Sequence, residues 1–276
     1  MPTWFITGCS TGLGRALAEA VLERGWNAVV TARSVSKVQD LAAAHSETAL
    51  ALALDVGDTA GVARAMEQAE DRFGAVDVLV NNAGHGYRAA VEEGEDAEVG
   101  ELFATNFFGP VALIKAVLPG MRARRRGAIV NVSSIAGQYS SPGSGYYSAT
   151  KFALEGMSDA LSKEVGPLGI KVLVVEPGAF RTDFAGRSLQ QSRTPIEDYA
   201  GTAGLRRKEN DTTHGRQPGD PEKAPQVIID ALESGNTPFR LLLGSDAVTV
   251  VREELTARIG EVDAWEAVSR TTDFAD

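Results

Sequence analysis

Cysteine is almost absent. The 276-residue chain holds one, Cys9, so no disulfide can form within it. Histidine is scarce as well. His45, His85 and His214 are the only three, and they stand far apart, without the spacing of metal ligands. There is no basic excess: 27 lysines and arginines face 37 aspartates and glutamates, a net charge of −10. Nucleic acid needs the opposite balance and is not an expected partner. The local run Arg122, Arg124, Arg125, Arg126 reads as a solvated helix end, where cations are favourable. No basic and apolar leader precedes "TWFIT", and no apolar run reaches the length of a membrane span. A cytoplasmic protein with no membrane partner is therefore expected. A G-x-S-x-G hydrolase elbow is also missing.

What the chain does have is alternation. Hydrophobic residues make up 43% and charged residues 23%, a globular balance. Near-continuous apolar runs at Trp4–Thr7, Ala28–Ala32, Ala49–Leu54, Val76–Val80, Ala128–Val132, Lys171–Glu176 and Arg240–Leu243 read as parallel strands covered on both faces. Helical patterns separate them. Leu13, Leu17 and Val21 recur every four residues before a stop at Gly25. Further helical segments run from about Thr59 to Phe73 and Ser148 to Val165. The expected fold is α/β: one domain over 1–276, a doubly wound parallel seven-stranded sheet of Rossmann type. Residues 186–225 interrupt the alternation with polar, Gly- and Pro-containing sequence, and 250–276 reads as a helix followed by an acidic tail.

Between the first strand and first helix lies "ITGCSTGLG". Such a turn offers unpaired N–H groups and a positive helix end to a pyrophosphate, with glycines where side chains would collide. The spacing of Gly8, Gly12 and Gly14 is not G-x-G-x-x-G. At the end of the second strand, where a dinucleotide fold places its adenosine ribose, stands Ala32-Arg33-Ser34. An acidic residue there would bind a 2′-hydroxyl and repel a 2′-phosphate. Arg33 instead predicts preference for NADP(H) over NAD(H); a plain surface charge is the other reading. Tyr147 and Lys151 in "GYYSATKFALEG" lie four apart, on one helical face.

Together these features resemble the classical branch of the short-chain dehydrogenase/reductase (SDR) family. Its T-G-x-x-x-G-x-G turn matches Thr7, Gly8, Gly12 and Gly14. Its N-N-A-G signature matches Asn81 to Gly84, its helical asparagine Asn106, and its serine thirteen residues before the tyrosine Ser134. Its Y-x-x-x-K pair matches Tyr147 and Lys151. Pro177-Gly178 and Thr182 match the turn after the sixth strand, and Asp55 the acid after the third. The likeness runs from Thr3 to about Thr182; the last third follows only in outline.

The resemblance implies a catalytic set of Asn106, Ser134, Tyr147 and Lys151. It implies that the cofactor is held by Gly8, Ser10, Thr11, Gly12, Leu13, Gly14, Arg33, Asp55, Val56, Asn82, Ala83, Gly84, Pro177, Gly178 and Thr182, together with Tyr147 and Lys151. Reduction of a ketone needs a hydride at carbon and a proton at oxygen. A tyrosine can give the proton, and a neighbouring ammonium favours its ionised form. Ser134 can hold the oxygen on which charge develops. By resemblance, Asn106 positions a water that links Lys151 to solvent, and Thr182 holds the carboxamide. The family builds its substrate lid where 186–225 lies, with Phe184, Leu189, Ile196 and Tyr199 as candidate apolar walls. His85 and Tyr87 could approach the substrate. No phosphate or coenzyme A clamp is evident, which favours an apolar or aromatic carbonyl or alcohol. The resemblance further implies a homo-oligomer, formed through the helices carrying Asn106 and Tyr147, while the segment after Val250 could block a second contact at "RLLLGSDAV". Two other readings are a sugar-nucleotide epimerase or dehydratase, whose turn is usually T-G-x-x-G-x-x-G, and a non-catalytic NADP(H) sensor, in which the tyrosine or lysine is commonly lost.

Overall fold

A computed structural model describes residues 1–186, 188–213 and 215–274, without the side chains of Ala185 and residues 210–213. His214 lies outside the described residues. Among the described residues the strands are β1 (Thr3–Ile6), β2 (Asn27–Ala32), β3 (Ala49–Ala53), β4 (Val78–Asn81), β5 (Gly86–Arg88), β6 (Gly127–Val132), β7 (Ile170–Pro177), β8 (Leu189–Gln191) and β9 (Arg240–Leu243). The helices are α1 (Gly12–Glu23), α2 (Gln39–Ala44), α3 (Thr59–Phe73), α4 (Asp96–Phe103), α5 (Gly109–Arg124), α6 (Gly145–Val165), α7 (Ala203–Thr213), α8 (Ala224–Glu233) and α9 (Ser245–Ser269).

Seven strands form one parallel sheet in the order β3-β2-β1-β4-β6-β7-β9. The order reverses between β1 and β4, the switch point where α/β folds bind ligands beyond the strand ends. Alternate strand residues feed two cores, as the pleat requires. Trp4, Ile6, Val30 and Val80 pack with Leu17 and Val21 of α1 and Ile228 of α8. Phe5, Val29, Leu79 and Ile129 pack with Met66 of α3, Val117 of α5 and Leu161 of α6. Both faces are covered, which is why the strands are apolar on both sides.

Three expectations need revision. Asp96–Arg124 is one helical run, long and apolar enough by length and composition to cross a membrane. Polar interruptions at Glu98, Glu101 and Asn106 hid it from a search for unbroken apolar sequence. In this fold it carries Leu113, Val117 and Met121 into the second core. The segment 186–225 is not irregular: it contains β8 and α7. β8 pairs in parallel with β5, two three-residue strands too short to be read from periodicity. α9 begins at Ser245 and runs to Ser269, leaving little tail. The basic run ends α5 as expected, with Arg124 Nη2 donating to the Val76 carbonyl at 2.9 Å.

Candidate active site

The glycine turn follows β1 at the switch point. Gly8 and Gly12 adopt φ of 73° and 63°, a region glycine enters without steric cost. Thr11 precedes α1 with no side-chain cap, and no acidic residue occupies the helix's first turn. By contrast, Asp58 caps α3, accepting from the Ala60 N–H at 3.0 Å. The leading N–H groups of α1 thus lack a side-chain acceptor, and the turn fits a phosphate group. A cleft of about 430 Å³ lies there, lined by residues including Thr11, Gly12, Arg15, Thr182 and Pro221. Thr182 comes close to the turn: a methyl on Gly12 would stand 3.3 Å from its Cβ.

Gly14 has a packing reason of its own. A methyl there would run into the Asn82 side chain and stand 2.6 Å from the Gly8 carbonyl oxygen. Asn82 Nδ2 donates to the carbonyls of Thr7 at 2.8 Å and Gly8 at 3.2 Å. Thr7 Oγ1 accepts the N–H groups of Asn82 and Ala83, each at 3.0 Å. The N-N-A-G segment therefore clamps the turn from behind. Cys9 is buried, and burial pushes its thiol up to about 12, so it fills space rather than reacting.

At the neighbouring strand ends, Arg33 is exposed and forms no hydrogen bond or ion pair among the described residues. Ala32, which ends β2, pairs with Ala53 on β3. Asp55 Oδ1 accepts the Gly57 N–H at 2.9 Å, and Val56 is buried with Gly109 pressed against it. On the far side, the Gly178 N–H donates to the Leu243 carbonyl at 2.9 Å. Asp246, at the start of α9, accepts the Ala179 N–H at 2.7 Å and buttresses the Pro177-Gly178 turn.

Asn106 sits in a π-helical turn, Ala104–Phe108, between α4 and α5, a distortion frequent at functional sites. Its Oδ1 accepts the His85 N–H at 3.0 Å. Its Nδ2 donates to the His85 carbonyl at 2.9 Å and to Thr150 Oγ1 at 3.2 Å. Asn106 thereby joins the segment after β4 to α6, one residue from Lys151. Gly84 leaves this corner open, since a methyl on it would stand 3.1 Å from Asn106 Oδ1 and 3.8 Å from Lys151 Nζ.

Tyr147 and Lys151 are both buried on α6. Lys151 Nζ donates to the Val132 carbonyl at 2.9 Å and lies 5.8 Å from the Tyr147 ring centre. Ser134, whose Oγ accepts the Ala136 N–H at 3.1 Å, lies near enough to Tyr147 to favour the ionised phenol. Burial pushes the Tyr147 phenol up to about 12, against the lowering effects of Ser134 and of the Arg88 charge. Burial pulls Lys151 down to about 8, opposed by Glu155. In the protein alone, Arg88 is the cation acting on the phenol. Phe184 flanks the tyrosine, with ring centres 5.7 Å apart.

Sequence reasoning missed several neighbours. Glu155, one helical turn beyond Lys151, is buried with Glu176, and Arg240 Nε donates to Glu155 Oε2 at 3.0 Å. Burial and then the Glu155 charge push Glu176 up to about 7. Arg88 is buried beside the tyrosine, and nothing in a three-residue strand marks it. Tyr87 is not a pocket wall: it is buried against Tyr146, and its hydroxyl accepts the Glu95 N–H at 3.2 Å. His85 is half-buried, and its imidazole is held below the usual range by burial and then by the Arg33 charge.

The sequence model of the family described as short chain dehydrogenase matches residues 2–193. Oxidoreductase BOA17 of Botryotinia fuckeliana is 36% identical over 96% of this chain and 97% of its own length. A 3-ketodihydrosphingosine reductase of Bacteroides thetaiotaomicron is 40% identical over 87% of this chain and 86% of its own. The crystal structure of a short-chain dehydrogenase from Streptomyces avermitilis superposes with a TM-score of 0.93 at 44% identity, covering 99% of this chain and 100% of the other.

Proposed function

The chain belongs to the short-chain dehydrogenase family of oxidoreductases, and on that premise we propose that it interconverts a ketone or aldehyde and an alcohol, with NADP(H) as cofactor and Tyr147 as the general acid and base. The observation that carries this reading is the buried Tyr147 with Ser134 acting on its phenol and Lys151 one helical turn away. The named ketone substrate of the Bacteroides relative supports a carbonyl reaction.

When bound, the nicotinamide supplies the hydride donor or acceptor. Gly8, Gly12 and the uncapped start of α1 hold its pyrophosphate, and Arg33 the 2′-phosphate. Asp55 and Val56 line the adenine side. Thr182, beside Gly12, and the Pro177-Gly178 turn hold the nicotinamide end. Tyr147 keeps its proton near neutral pH and passes it to the carbonyl oxygen. Ser134 donates to that oxygen as negative charge develops. Lys151 steadies the phenolate left behind, and Asn106 holds the corner through which a proton returns. The segment 186–225 acts as a lid, and Phe184 supplies an aromatic wall for an apolar or aromatic substrate.

The test is consumption of NADPH and NADH with a panel of ketones and aldehydes. We expect turnover with NADPH preferred. Arg33→Asp should cut NADPH preference about ten- to hundredfold, the value of a charge-assisted hydrogen bond. Equal use of both cofactors by the wild type would remove the NADP(H) assignment. No turnover with either would leave a cofactor-binding sensor as the better reading.

A further inference from the structure

Arg88 is 8% exposed and has no ion pair among the described residues. Its Nη1 donates to Ser144 Oγ at 2.8 Å, and its Nε is buried without any hydrogen-bond partner. A guanidinium cannot discard its proton in a protein, and a buried ion without a counter-charge is costly. Here the surroundings deepen that cost. Ser144 immediately precedes α6, so the positive end of that helix faces the guanidinium. Arg206 on α7 adds a second positive charge and also leaves a buried Nε without a partner.

Among the described residues, the anionic groups at hand do not balance this. Glu209 pairs with Arg206, so two guanidiniums and one carboxylate leave one positive charge. Glu93, the buried carboxylate nearby in sequence, is engaged by Arg207 and by the N–H groups of Ala90 and Ile196. The other titratable groups acting on Arg88 are the phenols of Tyr147 and Tyr139. The uncompensated charge therefore stands between β5, the start of α6 and α7, within electrostatic reach of the proton donor. The start of α7 packs on the loop before α6, where a methyl on Gly143 would stand 3.3 Å from Ala203 Cα.

We infer that Arg88, assisted by Arg206, is the binding point for a carboxylate on the substrate, so that the substrate has an apolar or aromatic body bearing one carboxylate near its reacting carbonyl or alcohol. A single remaining positive charge matches a carboxylate better than a doubly charged phosphate, and a guanidinium fork suits its geometry. This rests on Tyr147 as the reacting acid and base. It adds a charge to the apolar or aromatic carbonyl or alcohol that the sequence favours, because Arg88 and Arg206 are 118 residues apart by their numbering and act together only in the fold.

The test is calorimetric titration of the NADPH-loaded protein with phenylacetate, 4-phenylbutanoate and decanoate, each against its amide. At least one carboxylate should bind about tenfold or more tightly than its amide. Arg88→Met should erase that preference while leaving the amide and NADPH affinities unchanged, and Arg88→Lys should keep part of it. Arg206→Met should weaken it and serves as the second variant if Arg88→Met does not fold. Equal or absent binding of every pair, or a preference that survives Arg88→Met, would overturn the inference. So would an equal loss of turnover on a keto acid and its methyl ester in Arg88→Met with a displaced pH profile, which would assign Arg88 to Tyr147 alone. Failure of the Tyr147 assignment reads differently: Tyr147→Phe would then keep turning over while carboxylate binding stayed as in the wild type.

Discussion

At the scale of single residues, the site is governed by burial acting on Tyr147 and Lys151. Burial raises the tyrosine to about 12 and lowers the lysine to about 8. A phenol raised this far holds its proton at neutral pH and is ready to donate it. Oxidation of an alcohol needs the ionised phenol, so its rate should climb as pH rises from about 6, whereas reduction should stay flat over the same range, because the phenol remains protonated throughout it. The climb should flatten above about pH 8, where Lys151 loses the charge that supports the phenolate. Initial rates in both directions across that range check this, and an oxidation rate that falls with rising pH would contradict it. These two residues were legible in sequence because the chemistry restricts the residue types and the helix fixes their spacing. Their pKa directions were not, because burial and the Arg88 charge come from remote parts of the chain.

At the scale of elements, the glycine turn and the N-N-A-G segment form one unit. Gly14 and Asn82 are 68 residues apart by their numbering, yet the side chain of one occupies the space left by the other. Gly14→Ala should destabilise the fold by about 1–3 kcal/mol, as overpacking does, and weaken NADPH binding by shifting the start of α1. Thermal unfolding and a cofactor titration measure both, and unchanged values would show that the turn can give way. The main strands and helices were readable because apolar runs and periodicity extend over whole elements. β5 and β8 were not, since three residues carry no periodic signal and they owe their pairing to each other. Asp246 and the Glu155–Glu176–Arg240 cluster were unreadable for the same reason: each joins side chains from distant elements.

At the scale of the whole molecule, the cores are well covered but some helix surfaces are not. Phe108, in the turn with Asn106, is 60% exposed, and Phe152 on α6 is 40% exposed. These fall on the two helices expected to pair between copies. Val262 and Trp265, on the outer part of α9, are 67% and 65% exposed. A dimer or larger assembly is expected in light scattering, and Phe108→Asp with Phe152→Asp should shift it toward the monomer. An unchanged mass would place the contact elsewhere.

The claim that joins these scales is that one buried phenol moves the proton. The direct measurement is NADPH consumption by Tyr147→Phe on any carbonyl that the wild type reduces, with NADPH affinity measured on the same preparation. Turnover should drop by about 10²–10⁴-fold, the usual contribution of general acid catalysis, while NADPH affinity stays within about twofold. Turnover close to that of the wild type would contradict the account.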